Sequence, residues 1–244
     1  MNLDRPGGEG WSLSWLPEMG CLTPLEVACE NNDYKIAKLL IEKGADASLI
    51  RDGYFSPVYL CLETYHPDDL EMLKLLIENG ADPSGIEDEE DILNHSLLNV
   101  AWMDTSKTSS DNYRKYDEAK AKDILEIYQY LEEKISNADS VVSDLFETPL
   151  MFATVKQNIL LMEHLMENSP ECVDKCSLSG ENALFYLLPE EGAYDKQWKK
   201  ETLDLLCKYS IDMNKRNSKG YTACRYAQEE GDDFLANLLK ERME

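Results

Sequence analysis

The sequence predicts an all-α protein built as a solenoid of about six irregular helix-turn-helix repeats. Residues 23–46 read TPLEVACENNDYKIAKLLIEKGAD, and residues 56–82 read SPVYLCLETYHPDDLEMLKLLIENGAD. Both segments share a Thr/Ser-Pro opening, a Leu-Leu-Ile-Glu run and a closing Gly-Ala-Asp, and they start 33 residues apart, a spacing typical of stacked repeats. Helices this short are not stable alone, so each pair must bury its apolar side against the next pair.

The first unit carries its own start and stop signals. Thr23 is predicted to cap the first helix, with Pro24 at the first helical position and Glu26 as the partner in a capping box. Gly44 is predicted to end the second helix in a left-handed conformation. The apolar sides of the two helices are predicted to comprise Leu25, Val27, Ala28, Ile36, Leu39, Leu40 and Ile41.

These residues resemble the ankyrin repeat, whose pattern the first unit matches almost throughout. The resemblance implies an ankyrin-like helix-turn-helix repeat solenoid over residues 22–244, with units starting near residues 23, 56, 96, 148, 182 and 222. Two polar insertions interrupt the units, one at 103–117, which is predicted as a loop, and one at 189–198. Residues 1–21 contain Trp11 and Trp15 and are predicted to cover the apolar face of the first unit. The alternative is that they form an exposed aromatic anchor for a partner.

The composition excludes several classes of protein. The chain has 43% hydrophobic and 30% charged residues, and it contains neither a long apolar run nor the basic and apolar regions of a signal peptide. We therefore expect a cytoplasmic protein that does not enter a membrane. The seven cysteines are scattered and odd in number, which is typical of reduced, mostly buried thiols.

The repeats leave no segment for a separate catalytic domain. The three histidines show no pairing with a nucleophile, and Cys172 with Cys176 is only half of a zinc ligand set. The glycines near the N-terminus lack the strand and helix context of a phosphate loop. We expect no catalytic residues, no cofactor and no metal, so the chain is predicted not to be an enzyme.

The net charge of −24 is spread over both halves of the chain. Such a field repels nucleic acid and anionic membranes, and it accelerates the encounter with a basic protein. The sequence therefore predicts a protein partner that is basic, with no binding to nucleic acid.

The candidate partner-binding residues follow from the ankyrin resemblance. In ankyrin-like stacks, partners usually dock on the loops between units and on the exposed side of the first helices. That face is also predicted to include Glu26, Met103, Met151, Val155 and Lys156. The acids and aromatic side chains selected as contacts are Glu30, Asp52, Tyr54, Phe55, Tyr59, Glu63, Glu87, Asp88, Glu89, Glu90, Asp91, Trp102 and Asp104.

Irregular, acidic ankyrin proteins resemble the immunity proteins of bacterial toxin systems. This resemblance implies an inhibitor that is monomeric until it binds and neutralises a basic cognate toxin, for example a nuclease. The alternative is an intracellular scaffold or regulatory adaptor without an inhibitory role. Strong salt dependence of binding would favour the inhibitor, and weak dependence would favour the adaptor.

Overall fold

The computed structural model describes residues 22–49, 56–63, 65–84, 95–108, 114–138, 141–188 and 196–243. Within these ranges the chain forms helix-turn-helix repeats, so the prediction of an all-α, ankyrin-like repeat fold is confirmed. The contacts divide the chain into two compact units. Unit 1 comprises Met1–Val100 with Gln129–Ser136, and unit 2 comprises Ala101–Tyr128 with Asn137–Glu244.

The helices of the first hundred residues alternate between first and second helices of a repeat. Their cores contain Cys29, Val58, Leu73 and Leu97, all of which are fully or almost fully buried. The bounds are α1 (Pro24–Glu30), α2 (Tyr34–Glu42), α3 (Pro57–Leu62), α4 (Asp69–Glu78) and α5 (Ser96–Ala101).

The predicted capping box at the start of α1 is confirmed. The Glu26 amide donates to the Thr23 hydroxyl at 3.2 Å, and the Glu26 carboxylate accepts from the Thr23 amide in return. Gly44 ends the second helix with φ of +95°, and Gly80 repeats this with φ of +99°. These helix ends could be recognised from the sequence because each signal satisfies a backbone group that the helix end would otherwise leave unpaired.

The predicted burial of the apolar side of α2 is wrong in part. The side chains of Ile36 and Leu39 are 49% and 52% exposed, Val27 of α1 is also exposed, and Ala37 is the residue of α2 that is buried. The regular spacing of Ile36 and Leu39 therefore did not determine their burial. The predicted N-terminal cap, residues 1–21, lies outside the described residues.

The rest of the chain contains six further α-helices among the described residues. The same described ranges include two 3₁₀ helices, Pro170–Cys172 and Ala183–Leu187, and the second of them occupies the place of a first helix in its repeat. The bounds of the α-helices are α6 (Glu118–Lys134), α7 (Pro149–Val155), α8 (Ile159–Asn168), α9 (Lys196–Lys208), α10 (Ala223–Glu229) and α11 (Asp233–Met243).

Both polar insertions contain more structure than the sequence predicts. Within 103–117, strands β1 (Ser106–Thr108) and β2 (Arg114–Tyr116) pair antiparallel, where a loop was predicted. The Thr105 hydroxyl at the base of this hairpin donates to the Lys156 carbonyl at 3.1 Å. The insertion predicted at 189–198 ends early, because α9 starts at Lys196 and the buried Trp198 donates its indole N–H to the Gln157 carbonyl at 2.8 Å. Both tertiary contacts involve partners distant in sequence.

Candidate protein-binding site

Three tight turns with the same hydrogen bonds precede the last three repeats. We call them fingers: the first finger is residues 143–147, the second 177–181 and the third 217–221. In each, the first residue's amide donates to the fifth residue's carbonyl at 2.9 Å, and the fourth residue's amide donates back to the first residue's carbonyl at 2.8 or 2.9 Å. The fourth residue has a positive φ in every finger: 58° at Phe146 and 75° at both Gly180 and Gly220.

The fingers are linked to one another by backbone hydrogen bonds. The Leu178 amide donates to the Leu145 carbonyl, and the Ser218 amide donates to the Ser179 carbonyl, both at 2.7 Å. This ladder holds the first two fingers side by side and brings three apolar side chains to their tips. Leu145 is 49% exposed, Phe146 54% and Leu178 66%. We call these three residues the tip patch.

A groove with a cavity volume of about 750 Å³ lies within unit 2 next to the ends of the first two fingers. It is built from the finger ends, the second 3₁₀ helix and the turn between α10 and α11. Acids and aromatic side chains dominate its lining. The lining residues are Glu147, Val155, Glu181, Phe185, Tyr186, Leu188, Tyr226, Glu230, Gly231, Asp232, Asp233 and Phe234.

Hydrogen bonds hold two of the carboxylates of the groove in place. Glu147 accepts from the Tyr186 hydroxyl at 2.9 Å and from the Ser143 hydroxyl at 3.1 Å. Glu181 accepts from the Asn217 side-chain amide at 2.9 Å. These carboxylates are therefore oriented before any partner arrives, which lowers the entropy cost of binding.

The acids on the other side of the groove differ in how their charge is balanced. Asp232 forms an ion pair with the buried Lys199 and also accepts the Leu235 amide at 2.9 Å at the start of α11. Glu230 and Asp233 are exposed. The described lining residues include five acids, of which Asp232 is paired with a lysine, so the groove presents a negative surface.

Both tyrosines of the groove remain neutral at physiological pH. Burial raises the pKa of Tyr186, a hydrogen bond with Ser177 lowers it, and the hydrogen bond to Glu147 raises it. Burial also raises the pKa of Tyr226, and the negative charges of Glu230 and Glu181 act in the same direction. The aromatic rings of Phe185 and Tyr226 lie 5.8 Å apart, measured between centroids.

This arrangement is suited to binding cations. Carboxylates fixed by hydrogen bonds can pair with a guanidinium or ammonium group, and aromatic faces attract the same groups. The ammonium of Lys196 already lies 5.2 Å from the ring centroid of Phe234, which illustrates that attraction within the chain.

Three of the residues predicted from the sequence lie on neighbouring helices of unit 1. Glu30 is exposed at the end of α1, Glu63 is exposed directly after α3, and Tyr59 is half-buried within α3. α1 and α3 pack against each other. Their role in binding stays a prediction.

Two other predicted residues, Trp102 and Asp104, belong to unit 2. The Trp102 ring meets Phe152 edge to face at 5.3 Å between centroids, and the Lys156 ammonium lies 3.7 Å from the Trp102 centroid. Asp104 is half-buried and accepts the Ser106 amide at 2.8 Å. Trp102 is therefore a weaker candidate for a basic partner than the sequence suggests, because a cation of the chain already occupies its face.

The remaining predicted contacts fall outside the described residues or are buried. Asp52, Tyr54, Phe55 and the acidic run of Glu87, Asp88, Glu89, Glu90 and Asp91 lie outside the described ranges. Four positions that were expected on the exposed side of the first helices are buried instead: Glu26, Met103, Met151 and Val155. Glu26 is buried because its carboxylate serves the capping box, and Met151 follows the same geometry in α7, where its sulfur accepts from the Thr148 amide at 3.4 Å.

The tip patch and most of the groove are not among the contacts predicted from the sequence. A usable signal was present: SDLFE at 143–147, SLSGE at 177–181 and NSKGY at 217–221 have the same spacing as the repeats. Aligning them places Phe146 where the other two fingers have glycine.

Two further observations concern other classes of site. Among the described residues, no three His, Cys, Asp or Glu side chains are grouped so that they could hold a metal ion. Across the same ranges, no helix combines the length and the apolar character that are needed to cross a lipid bilayer.

Comparison with known proteins supports the fold. The family model described as ankyrin repeat matches residues 22–49, and no curated protein sequence matches the chain. Similar solved structures include an ankyrin repeat protein with a TM-score of 0.63 and 19% identity, covering 89% of this chain and 96% of that one. An ankyrin repeat domain from Acinetobacter baumannii AYE has a TM-score of 0.62 and 17% identity, covering 90% of this chain and 97% of that one.

A third similar structure is a chain of a complex between a predatory endopeptidase from Bdellovibrio bacteriovorus and an immunity protein. Its TM-score is 0.64 and its identity 20%, covering 89% of this chain and 97% of that one. At these identities the likeness concerns the fold. Together, these comparisons show that the first unit matches the ankyrin repeat model and that most of the chain shares the fold of ankyrin repeat proteins.

Proposed function

We propose that this chain is an acidic inhibitor of the immunity-protein type, which binds a basic cognate toxin and neutralises it. The groove and the fingers of unit 2 form the contact surface, and the toxin is a protein with a cationic active site, for example a nuclease. The chain acts in the cytoplasm and is monomeric until it meets its partner. Ankyrin repeats bind protein partners, and this fold is generally a non-catalytic interaction module.

The observation that carries the proposal is the lining of the groove, where five carboxylates, one of them paired with Lys199, lie together with four aromatic rings, one of which faces Lys196. A nuclease binds phosphates with lysine and arginine side chains, and such side chains match fixed carboxylates and aromatic faces. The net charge of −24 adds long-range attraction, which accelerates association with a basic protein.

One structural neighbour gives independent support. It is a chain of a complex that contains an immunity protein and the endopeptidase. Likeness of fold alone does not transfer a function, so the proposal depends on the chemistry of the groove.

The first test is to immobilise the chain, apply a lysate of the source organism and identify retained proteins by mass spectrometry. The purified partner is then titrated with the chain by calorimetry from about 0.05 to 0.5 M NaCl, and its own activity is measured with and without the chain. We expect one basic protein that binds much more weakly at high salt and loses its activity at equimolar chain. Several unrelated proteins that bind independently of salt and remain active would support the adaptor instead and would contradict the inhibitor.

A pair of matched variants tests the groove. Glu230→Gln with Asp233→Asn removes two exposed charges from the lining, and we expect roughly tenfold weaker binding and a smaller salt dependence. Glu171→Gln with Glu241→Gln removes the same charge from exposed positions outside the lining and serves as the control. Equal losses of affinity in both double variants would show that the total charge matters and the groove does not.

A further inference from the structure

Phe146 adopts a backbone conformation that its side chain disfavours. Its φ is +58°, in the left-handed region, and the equivalent residues of the second and third fingers are Gly180 and Gly220. A residue with a Cβ atom is less stable than glycine in this conformation, and a bulky aromatic residue is rare there. The first finger therefore retains a costly residue where the repeat pattern favours glycine.

Other residues with a positive φ in the described ranges are of a different type. They are polar residues, which tolerate this conformation better or hydrogen-bond locally. Five non-glycine residues in the described ranges have a positive φ, and Phe146 is the aromatic one. The other four are Asn32, Asn137, Gln157 and Ser210.

Packing within the chain does not account for the choice of phenylalanine. The ring is 54% exposed, and its neighbours at the tips, Leu145 and Leu178, are 49% and 66% exposed. The hydrogen bond from the Leu178 amide to the Leu145 carbonyl places these side chains on adjacent fingers. Strain that the fold itself does not use is often found at binding sites.

The surroundings of the tip patch are acidic. Asp144 is exposed beside Leu145, and Glu147 and Glu181 end the first and second fingers at the edge of the groove. A partner that covers the apolar tips therefore also meets carboxylates. Binding energy in interfaces concentrates in a few apolar or aromatic anchors, and the charges around them select the partner.

We propose that the tip patch is the anchor of the interface and inserts into an apolar pocket of the partner whose rim carries lysine or arginine. This inference rests on the proposed function, since it assigns the part of that surface which supplies affinity. In this division of roles the groove selects a basic partner, while Phe146, Leu145 and Leu178 hold it.

A random library of twelve-residue peptides displayed on phage tests this assignment without knowledge of the natural partner. The library is selected on the full chain, and the dissociation constants of the enriched peptides are measured for the chain and its variants. We expect peptides that combine aliphatic or aromatic residues with lysine or arginine. We expect Phe146→Gly to weaken their binding by at least tenfold.

A second variant and a control complete the experiment. Leu178→Ser should weaken the binding of the same peptides. This variant does not change a residue with a positive φ, so it tests the patch even if Phe146→Gly alters the backbone of the first finger. Met243→Ser removes an exposed apolar side chain at the end of α11 and should have no effect. Circular dichroism and urea unfolding verify that each variant is folded.

The results distinguish a failure of the proposed anchor from a failure of the proposed function. Basic peptides that bind Phe146→Gly and Leu178→Ser normally but lose affinity for Glu230→Gln with Asp233→Asn would overturn the anchor and leave the proposed function standing. Enrichment of peptides without basic residues would contradict the basic partner, and with it both proposals.

Discussion

Asp69 gives the chain a pH-dependent stability that can be worked out from its surroundings. Its side chain is fully buried at the start of α4, where one oxygen accepts the His66 amide at 2.7 Å. The other oxygen lies 3.7 Å from His66 Nδ1, and neither of these two atoms has a hydrogen-bond partner. Burial raises the pKa of Asp69 from 3.8 to about 7, against the lowering effect of the His66 amide and with a small contribution from Asp68.

The direction of this pH dependence follows from which state of the chain, folded or unfolded, binds the Asp69 proton more tightly. The folded chain keeps the Asp69 proton up to about pH 7, whereas the unfolded chain releases it near 3.8. Folding is therefore favoured most below pH 3.8, and this contribution is lost as the pH rises through 7. One unit of pKa corresponds to about 1.4 kcal/mol, so the loss approaches about 4 kcal/mol at pH 8.

The perturbation that isolates this contribution is Asp69→Asn. Asparagine can still accept the His66 amide, and its NH₂ group points a donor towards the unpaired Nδ1, yet it carries no charge. We expect the variant to exceed the parent chain in free energy of unfolding by an amount that grows between pH 4 and pH 8, up to about 4 kcal/mol. The measurement is urea unfolding, followed by circular dichroism, of both proteins at each pH.

Because the two proteins are compared at the same pH, the contributions of other titrating groups to their stability cancel. Burial lowers the pKa of His95 from 6.5 to about 4, so this residue reduces stability as the pH falls through that window, in both proteins alike. Glu78→Gln, at the exposed end of the same helix, makes an equivalent change in charge and should show no comparable growth. A difference between Asp69→Asn and the parent that stays constant from pH 4 to pH 8 would show that Asp69 does not have a raised pKa in the folded chain.

Three further predictions concern stability. Lys199→Met leaves the partly buried carboxylate of Asp232 without its cation and should lower the free energy of unfolding in urea by about 3 kcal/mol. The double variant Lys199→Met with Asp232→Asn should recover part of this stability. No recovery in the double variant would mean that loss of the ion pair is not the cause. Phe146→Gly should raise the free energy of unfolding by about 1 kcal/mol, because it relieves the left-handed strain, and a marked loss would show that the ring supports the fold. If residues 1–21 cover α2, as the sequence predicts, Leu39→Glu should lower the free energy of unfolding by about 1–2 kcal/mol. An unchanged urea midpoint would contradict the N-terminal cap.

Local signals made the fold predictable from the sequence. Thr23, Pro24 and Glu26 satisfy the backbone at the start of α1, and Gly44 ends α2, so a short stretch of sequence determines both ends. The 33-residue spacing then indicates that further units stack in the same way. These features require no knowledge of distant neighbours.

Features that depend on distant residues were not predictable in this way. Ile36 and Leu39 have the period of a buried helix face, but burial requires a neighbour on that side. Trp198 was assigned to an insertion because PEEGAYDKQW is polar, whereas in the structure it is buried and donates its indole N–H to a carbonyl 41 residues away. Likewise, the groove collects Glu147, Tyr186 and Asp232 from three repeats, and no single repeat carries its pattern.

Hydrogen–deuterium exchange of the chain, measured with and without its basic partner, locates the binding surface. We expect slower exchange in the partner's presence at the first two fingers, the second 3₁₀ helix and the turn between α10 and α11. We also expect this protection to weaken with rising salt. Protection confined to α1–α4, with the fingers and the groove unchanged, would contradict the proposed binding surface.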